Sequence, residues 1–196
     1  LKGPLDLDLD AARLAKTYAD AGASAISVLT EPDGFKGSLE DMEAALGAGV
    51  PVLRKDFVVD PWQVMESRAA GADAILLIVR VVGDGLGPLL SAARSLGMDA
   101  LVEVHHEHEL DDALAAGATL IGVNHRDLTT FEVDPERTAK LAPRMPAECT
   151  VVALSGVSTR AEVEQLEAAG AAAVLIGESL VTAADPGAKI RELLSR

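Results

Sequence analysis

With 196 residues, 49% of them hydrophobic and 24% charged, the chain has the composition of a globular domain with a sizeable core; disordered and fibrous classes are excluded. Seventeen Lys and Arg against 31 Asp and Glu give a net charge of −14, and aromatics make up only 3%, the opposite of what nucleic-acid binding needs. The longest apolar run, Ala74 to Val79, is far short of the roughly 20 residues of a membrane helix, no charged leader with an apolar core opens the chain, and Cys149 stands alone, so the expectation is a cytoplasmic protein with no membrane partner and no disulfide.

In chain order, Asp10 caps a helix-like stretch running to Asp20; Asp6 and Asp8 read as the approach to that cap rather than a calcium loop, because no glycine or closing glutamate follows. Ala21-Gly22-Ala23 then leads into the apolar Ala25 to Leu29. The same device recurs as Ala70-Gly71-Ala72 before Ala74 to Val79, Ala116-Gly117-Ala118 before Leu120 to Val123, and Ala169-Gly170-Ala171 before Ala173 to Gly177. A glycine just past a helix supplies the left-handed turn that ends it, and a buried strand follows at once. The glycines lie 49, 46 and 53 residues apart, the length of two strand–helix units. The strands between them are Val50 to Leu53, Asp99 to Val104 and Thr150 to Ala153. Helix starts are marked at Ser38 with Asp41, at Asp60-Pro61, at Asp134-Pro135, at Ser158 with Glu162 and at Asp185-Pro186. Trp62 and Met65 are expected to pack against the sheet.

Seven strands alternating with eight helices predict a parallel α/β sheet in a single domain. No glycine-rich dinucleotide loop follows an early strand, so the expected architecture is a (β/α)8 barrel of the TIM type whose first strand is absent from this chain. Two open edges would then favour oligomers, and a monomer is expected where the first strand is present.

A barrel of this kind builds its site at the carboxyl ends of its strands. Those ends carry Lys55 with Phe57, Glu103, Asn124 with Arg126, Leu154-Ser155-Gly156, and Gly177-Glu178-Ser179. A lysine, a carboxylate, an amide and an arginine on one rim suit acid–base chemistry on an anionic substrate. Glu103 alternates within an apolar strand, where an inward charge is costly unless paired; it reads either as a base or as a purely structural ion-pair partner of Lys55. The last two glycine turns precede helices and suit a phosphate held by backbone amides. His105, His106 and His108 read as the solvated start of a helix rather than metal ligands, and no metal site is expected.

These strand ends resemble indole-3-glycerol phosphate synthases. The resemblance runs from Lys2 to Leu194 through Ser27-Val28-Leu29-Thr30, Phe35-Lys36-Gly37-Ser38, Leu53-Arg54-Lys55-Asp56-Phe57, Leu101-Val102-Glu103-Val104-His105, Asn124-His125-Arg126-Asp127-Leu128 with Thr130-Phe131, Ser155-Gly156 and Ile176-Gly177-Glu178-Ser179-Leu180. It implies a cofactor-independent lyase of tryptophan biosynthesis that decarboxylates and cyclises 1-(2-carboxyphenylamino)-1-deoxyribulose 5-phosphate. It further implies Lys55 as general acid, Glu103 as base, Asn124 and Arg126 on the substrate's polar groups and Phe35 and Phe57 beside its ring. Leu154 and Ser155 would adjoin the substrate, and Gly156, Gly177, Glu178 and Ser179 its phosphate. Two departures stand out. The family's first strand carries a Glu-x-Lys that this chain does not show, and Leu154 stands where the family has a glutamate, which removes a charge from the Lys55–Glu103 neighbourhood. The alternative is an impaired or altered barrel, a phosphate binder or a scaffold for a non-natural proton abstraction.

Overall fold

A computed structural model describes residues 9–127 and 132–195. Asp6, Asp8, Leu128, Thr130 and Phe131 lie outside the described residues. Seven strands, β1 (Ile26–Leu29), β2 (Val52–Lys55), β3 (Ala74–Ile78), β4 (Asp99–Val104), β5 (Leu120–Asn124), β6 (Thr150–Leu154) and β7 (Ala173–Leu175), pair in sequence order, every pair parallel. They form seven consecutive strands of a TIM-type (β/α)8 barrel. Ten α-helices lie among the described residues: α1 (Ala11–Asp20), α2 (Leu39–Ala45), α3 (Pro61–Ala69), α4 (Val79–Val82), α5 (Leu86–Ser95), α6 (Glu107–Ala115), α7 (Arg137–Leu141), α8 (Arg160–Ala168), α9 (Glu178–Val181) and α10 (Pro186–Leu194). The eight expected helices become ten because Val79 starts α4 instead of ending β3, and because the Gly177 turn opens a separate short helix before α10.

The four repeated glycines all take positive φ, between +82° and +107°, where a side chain would be strained. Asp10, Ser38, Asp60 and Asp185 accept backbone hydrogen bonds at the starts of α1, α2, α3 and α10. Two starts differ from expectation. Asp134 binds the Glu136 amide at 3.0 Å, making a turn, and the helix begins only at Arg137. The cap of α8 is Thr159, with Glu162 reaching back to it in a capping box.

Alternation sorts the strand residues onto two faces. Ile75, Leu77, Val102, Val104, Ile121 and Val123 join the large outer core under the helices. Leu53, Leu76, Ile78, Leu101, Val152 and Leu154 form a separate interior cluster. Two residues beyond Leu53, Leu101 and Gly122 on the interior face stand Lys55, Glu103 and Asn124. Trp62 and Met65, by contrast, do not pack on the sheet; they are 63% and 51% exposed. Helix α3 buries Val64 and Ser67, and each exposed residue lies two positions earlier, about 200° round the helix.

Candidate active site

The site begins with a loop after β1. The Glu31 carboxylate accepts the amides of Asp33, Gly34 and Phe35 at 2.7–3.0 Å; its slight burial acts the other way, but these three bonds hold its pKa below the ordinary value. Gly37 closes the loop against the Leu29 carbonyl, where a Cβ would come within 2.1 Å of the oxygen. The loop thereby lays Phe35 on Phe57, with ring centroids 6.1 Å apart and planes 21° from parallel. Lys55 Nζ sits 5.9 Å from the Phe35 centroid, a cation–π approach. Phe35, Lys55, Phe57 and Glu103 line one small pocket together with Asp56 and Ile78.

Neighbouring residues of β2 point opposite ways, which separates Lys55 from the charges beside it. Arg54, 4% exposed, faces the helices and is held by Asp56 at 2.9 Å, Glu66 at 2.8 Å and Ser67 at 3.0 Å. Burial would raise the Asp56 pKa, but hydrogen bonds from Thr30 and Arg54 bring it below its ordinary value. Arg54 thus absorbs Asp56 and leaves Lys55 to the pocket.

No ion pair joins Lys55 to Glu103 among the described residues, so the structural pairing weighed from sequence does not form. Glu103, 2% exposed, instead accepts the Asn124 amide at 2.9 Å and stands 3.5 Å from His105 Nε2. On the far side of that ring Glu109 lies 3.4 Å from Nδ1, and it accepts the His105 amide at 2.5 Å and Arg80 Nε at 3.0 Å. Burial works to raise the Glu109 pKa, but the His105 and Arg80 contacts pull it down to about 2. His105 and Glu109 are therefore buried, which corrects the reading of this segment as a solvated helix start. His106 and His108 do stack on one another, 5.7 Å between centroids.

From Asn124 the contacts continue across the barrel mouth. Asn124 Oδ1 accepts the Arg126 amide at 3.0 Å, and the Arg126 guanidinium reaches Glu178 at the start of α9 at 3.2 Å. Ser155 and Gly156, after β6, take φ of +67° and +76°, and Ser179 Oγ bonds the Val157 carbonyl at 2.9 Å, tying this turn to the one after β7. Just ahead of α8, Glu162 accepts the amides of Ser158 at 2.7 Å and Thr159 at 2.9 Å, and Thr159 Oγ1 accepts the Glu162 amide at 3.3 Å. Gly177 has φ of −123° and needs no glycine-only backbone. Leu154 pairs in register with Asn124 but is 4% exposed, its side chain within the interior apolar cluster; its Cδ1 lies 2.8 Å from where a Gly122 Cβ would stand. The absent side chain of Gly122 makes room for Leu154.

The pocket therefore gathers Phe35, Lys55, Phe57 and Glu103, with Asn124 one hydrogen bond away. Arg126, Glu178, Ser179, Ser155 and Gly156 form a second group over β5 to β7. Arg80 was not singled out from sequence, Arg54 and His125 stood only within the quoted motifs, and His105 and Glu109 were read as part of a solvated helix start; the available signal was a charged or imidazole group in an apolar strand or beside its end.

Solved structures share the fold: a 3-hexulose-6-phosphate synthase superposes with a TM-score of 0.76 at 20% identity, covering 94% of this chain and 91% of its own. A thiamine phosphate pyrophosphorylase from Pyrococcus furiosus gives 0.73 at 17%, covering 93% and 86%. Closer in sequence is the indole-3-glycerol phosphate synthase of Dehalococcoides mccartyi, 50% identical over 98% of this chain and 76% of its own. That of Mycolicibacterium vanbaalenii is also 50% identical, over 99% and 72%. A multifunctional tryptophan biosynthesis protein of Schizosaccharomyces pombe is 49% identical over 99% of this chain and 26% of its own length. The family model described as indole-3-glycerol phosphate synthase matches residues 1–193, and with half its residues shared with such relatives the chain belongs to that family.

Proposed function

We propose that this chain carries the ring-closing chemistry of an indole-3-glycerol phosphate synthase, with Lys55 as general acid and Glu103 as general base. The observation that carries the reading is the convergence of Lys55, Glu103, Phe35 and Phe57 on one pocket at the carboxyl ends of β2 and β4. The substrate, 1-(2-carboxyphenylamino)-1-deoxyribulose 5-phosphate, offers an aromatic ring, a ketone and a phosphate. Phe35 and Phe57 supply a stacked apolar wall for the ring. Lys55 gives a proton to the ketone oxygen as the ring carbon that bears the carboxylate attacks the ketone carbon; CO2 then leaves that ring carbon. Water departs from the former ketone carbon, and Glu103 takes the proton whose loss completes the indole. Asn124 steadies Glu103 and, with Arg126, binds the substrate's polar groups, while Leu154 bounds the site from below.

Ser155, Gly156, Gly177, Glu178 and Ser179 border the phosphate. The Ser155-Gly156 backbone turn, ahead of α8, would supply amide donors on that side. Proton transfer and positioning suffice for each step, so the reaction calls for no cofactor or metal. A biosynthetic lyase with a single cysteine suits the reducing cytoplasm, and among the described residues no helix is long and apolar enough to cross a membrane. The test is indole fluorescence on adding the substrate to the full polypeptide. Growth of signal with saturable rate supports the reading; substrate binding without any indole product overturns it.

A further inference from the structure

Glu31 has no place in the chemistry above, yet it gathers the amides of the loop that carries Phe35. Its Oε1 accepts the Asp33 amide at 2.9 Å, and its Oε2 accepts those of Gly34 at 2.7 Å and Phe35 at 3.0 Å. Its own carbonyl accepts the Gly37 amide at 3.0 Å. Of the amides from residue 33 to residue 37, all but that of Lys36 therefore end on this one residue. Packing does not supply the loop's shape in their place: Pro32, Asp33, Gly34 and Lys36 are exposed, and Phe35 is the only large apolar side chain of the stretch. Lys36 is left-handed, at φ +58°. For a residue with a side chain that conformation is disfavoured and persists only where the surroundings over-determine it. The bonds to Glu31 at Phe35 and at Gly37 enclose it on both sides.

The root of the loop is tied to the other ring of the pocket. The Thr30 amide donates to the Lys55 carbonyl at 3.1 Å, and Thr30 Oγ1 donates to Asp56 Oδ2 at 2.6 Å. The other oxygen of Asp56 accepts the Phe57 amide at 2.8 Å. A continuous run of hydrogen bonds and chain thus leads from the backbone of Phe57, through Asp56, Thr30 and Glu31, to the backbone of Phe35. Each ring is fixed at its own amide by a carboxylate, and the two meet with centroids 6.1 Å apart. A wall held in its binding shape spares the ordering that a loose loop would undergo on association.

We propose that Glu31 is a positioning residue for the aromatic end of the substrate: by collecting the amides of residues 33–35 it sets the Phe35 ring against Phe57, and it acts on substrate binding through that ring. The inference rests on the reading of Phe35 and Phe57 as the wall for the substrate's ring. It is tested in the full polypeptide by KM and kcat, with Phe35→Leu as a second background. Glu31→Ala should raise KM by roughly three- to tenfold, the worth of about one net hydrogen bond, while kcat changes by less than about threefold. Glu31→Gln keeps one acceptor oxygen for Gly34 and Phe35 and should restore most of the loss. In the Phe35→Leu background, where KM is already raised, Glu31→Ala should add less than about twofold, because the ring it positions is gone.

A folded Glu31→Ala enzyme with unchanged KM overturns the proposal. So does a rise in KM of the same size with and without the Phe35 ring, which would make Glu31 a general support of the rim, and so does a kcat that collapses with KM intact. Should Glu31→Ala not fold, Glu31→Asp is read in its place with the same expectations, since its shorter carboxylate can hold the amide two residues on but not that of Phe35. If Phe35→Leu alone leaves KM unchanged, the reading of the aromatic wall fails and the proposal with it. A KM raised by Phe35→Leu but not by Glu31→Ala removes the proposal alone.

Discussion

Replacing Glu103 by glutamine separates its chemistry from its packing. The side chain is 2% exposed and accepts one hydrogen bond, from Asn124 at 2.9 Å, with His105 at 3.5 Å. A glutamine of the same shape keeps a carbonyl oxygen for Asn124, so the folded state should lose only about 1 kcal/mol, the net worth of one hydrogen bond. What disappears is the basic oxygen. Loss of a general base lowers turnover by roughly 10²–10⁴-fold, equivalent to about 3–5 kcal/mol on the barrier. KM should hardly change, because ring and phosphate contacts lie on other strands. Glu103→Leu is the contrasting variant: it leaves the Asn124 amide buried without an acceptor and should cost a further 1–3 kcal/mol, roughly, in stability. Indole fluorescence gives kcat and urea unfolding gives the midpoint on the same preparation. A Glu103→Gln enzyme that turns over normally per folded molecule, while its midpoint drops, refutes the catalytic role and leaves Glu103 a structural carboxylate.

Other outcomes follow from the same contacts. The Glu109 pKa falls from 4.5 to about 2 on folding, so its stabilisation is complete above the unfolded value and is lost as pH drops from about 4.5 towards 2. At about 1.4 kcal/mol per pH unit this amounts to at most about 3 kcal/mol, and the unfolding free energy of Glu109→Gln should be flatter than that of the parent across this window; equal slopes count against the buried Arg80–Glu109–His105 arrangement. Gly37→Ala places a Cβ 2.1 Å from the Leu29 carbonyl oxygen, a backbone atom that cannot give way, so melting temperature should fall and KM rise as Phe35 leaves Phe57; an unaltered KM would falsify the role of this loop. Gly122→Ala collides with Leu154 Cδ1 and should cost about 1–3 kcal/mol, less in a Leu154→Ala background, where the cavity receives the methyl; strict additivity in the double-mutant cycle argues against their contact. Trp62→Gln should leave the unfolding midpoint within about 0.5 kcal/mol of the parent, whereas a large loss would mean the indole is packed.

Much of this protein is written locally. Four strands announce themselves as short apolar runs after a glycine that must turn left-handed, and four helices begin at the acid or hydroxyl that caps them. These are interactions over three to six residues, so sequence order alone locates them. The gathering of Lys55, Glu103 and Asn124 was also legible, since a parallel barrel brings every strand's carboxyl end to one rim. Which groups then pair was not. Glu103 turned from Lys55 to Asn124 and His105, Arg54 took Asp56, and His125 reached Thr138 on α7, contacts spanning from 2 to 21 residues. Trp62 turned to solvent because the phase of α3 is set by Val64 and by Ser67, which Arg54 needs. Local sequence determined where the elements start and stop; tertiary structure alone decided how the charges pair, because a buried charge takes the partner that the facing of neighbouring strands brings within hydrogen-bond reach, however far away it lies in the chain.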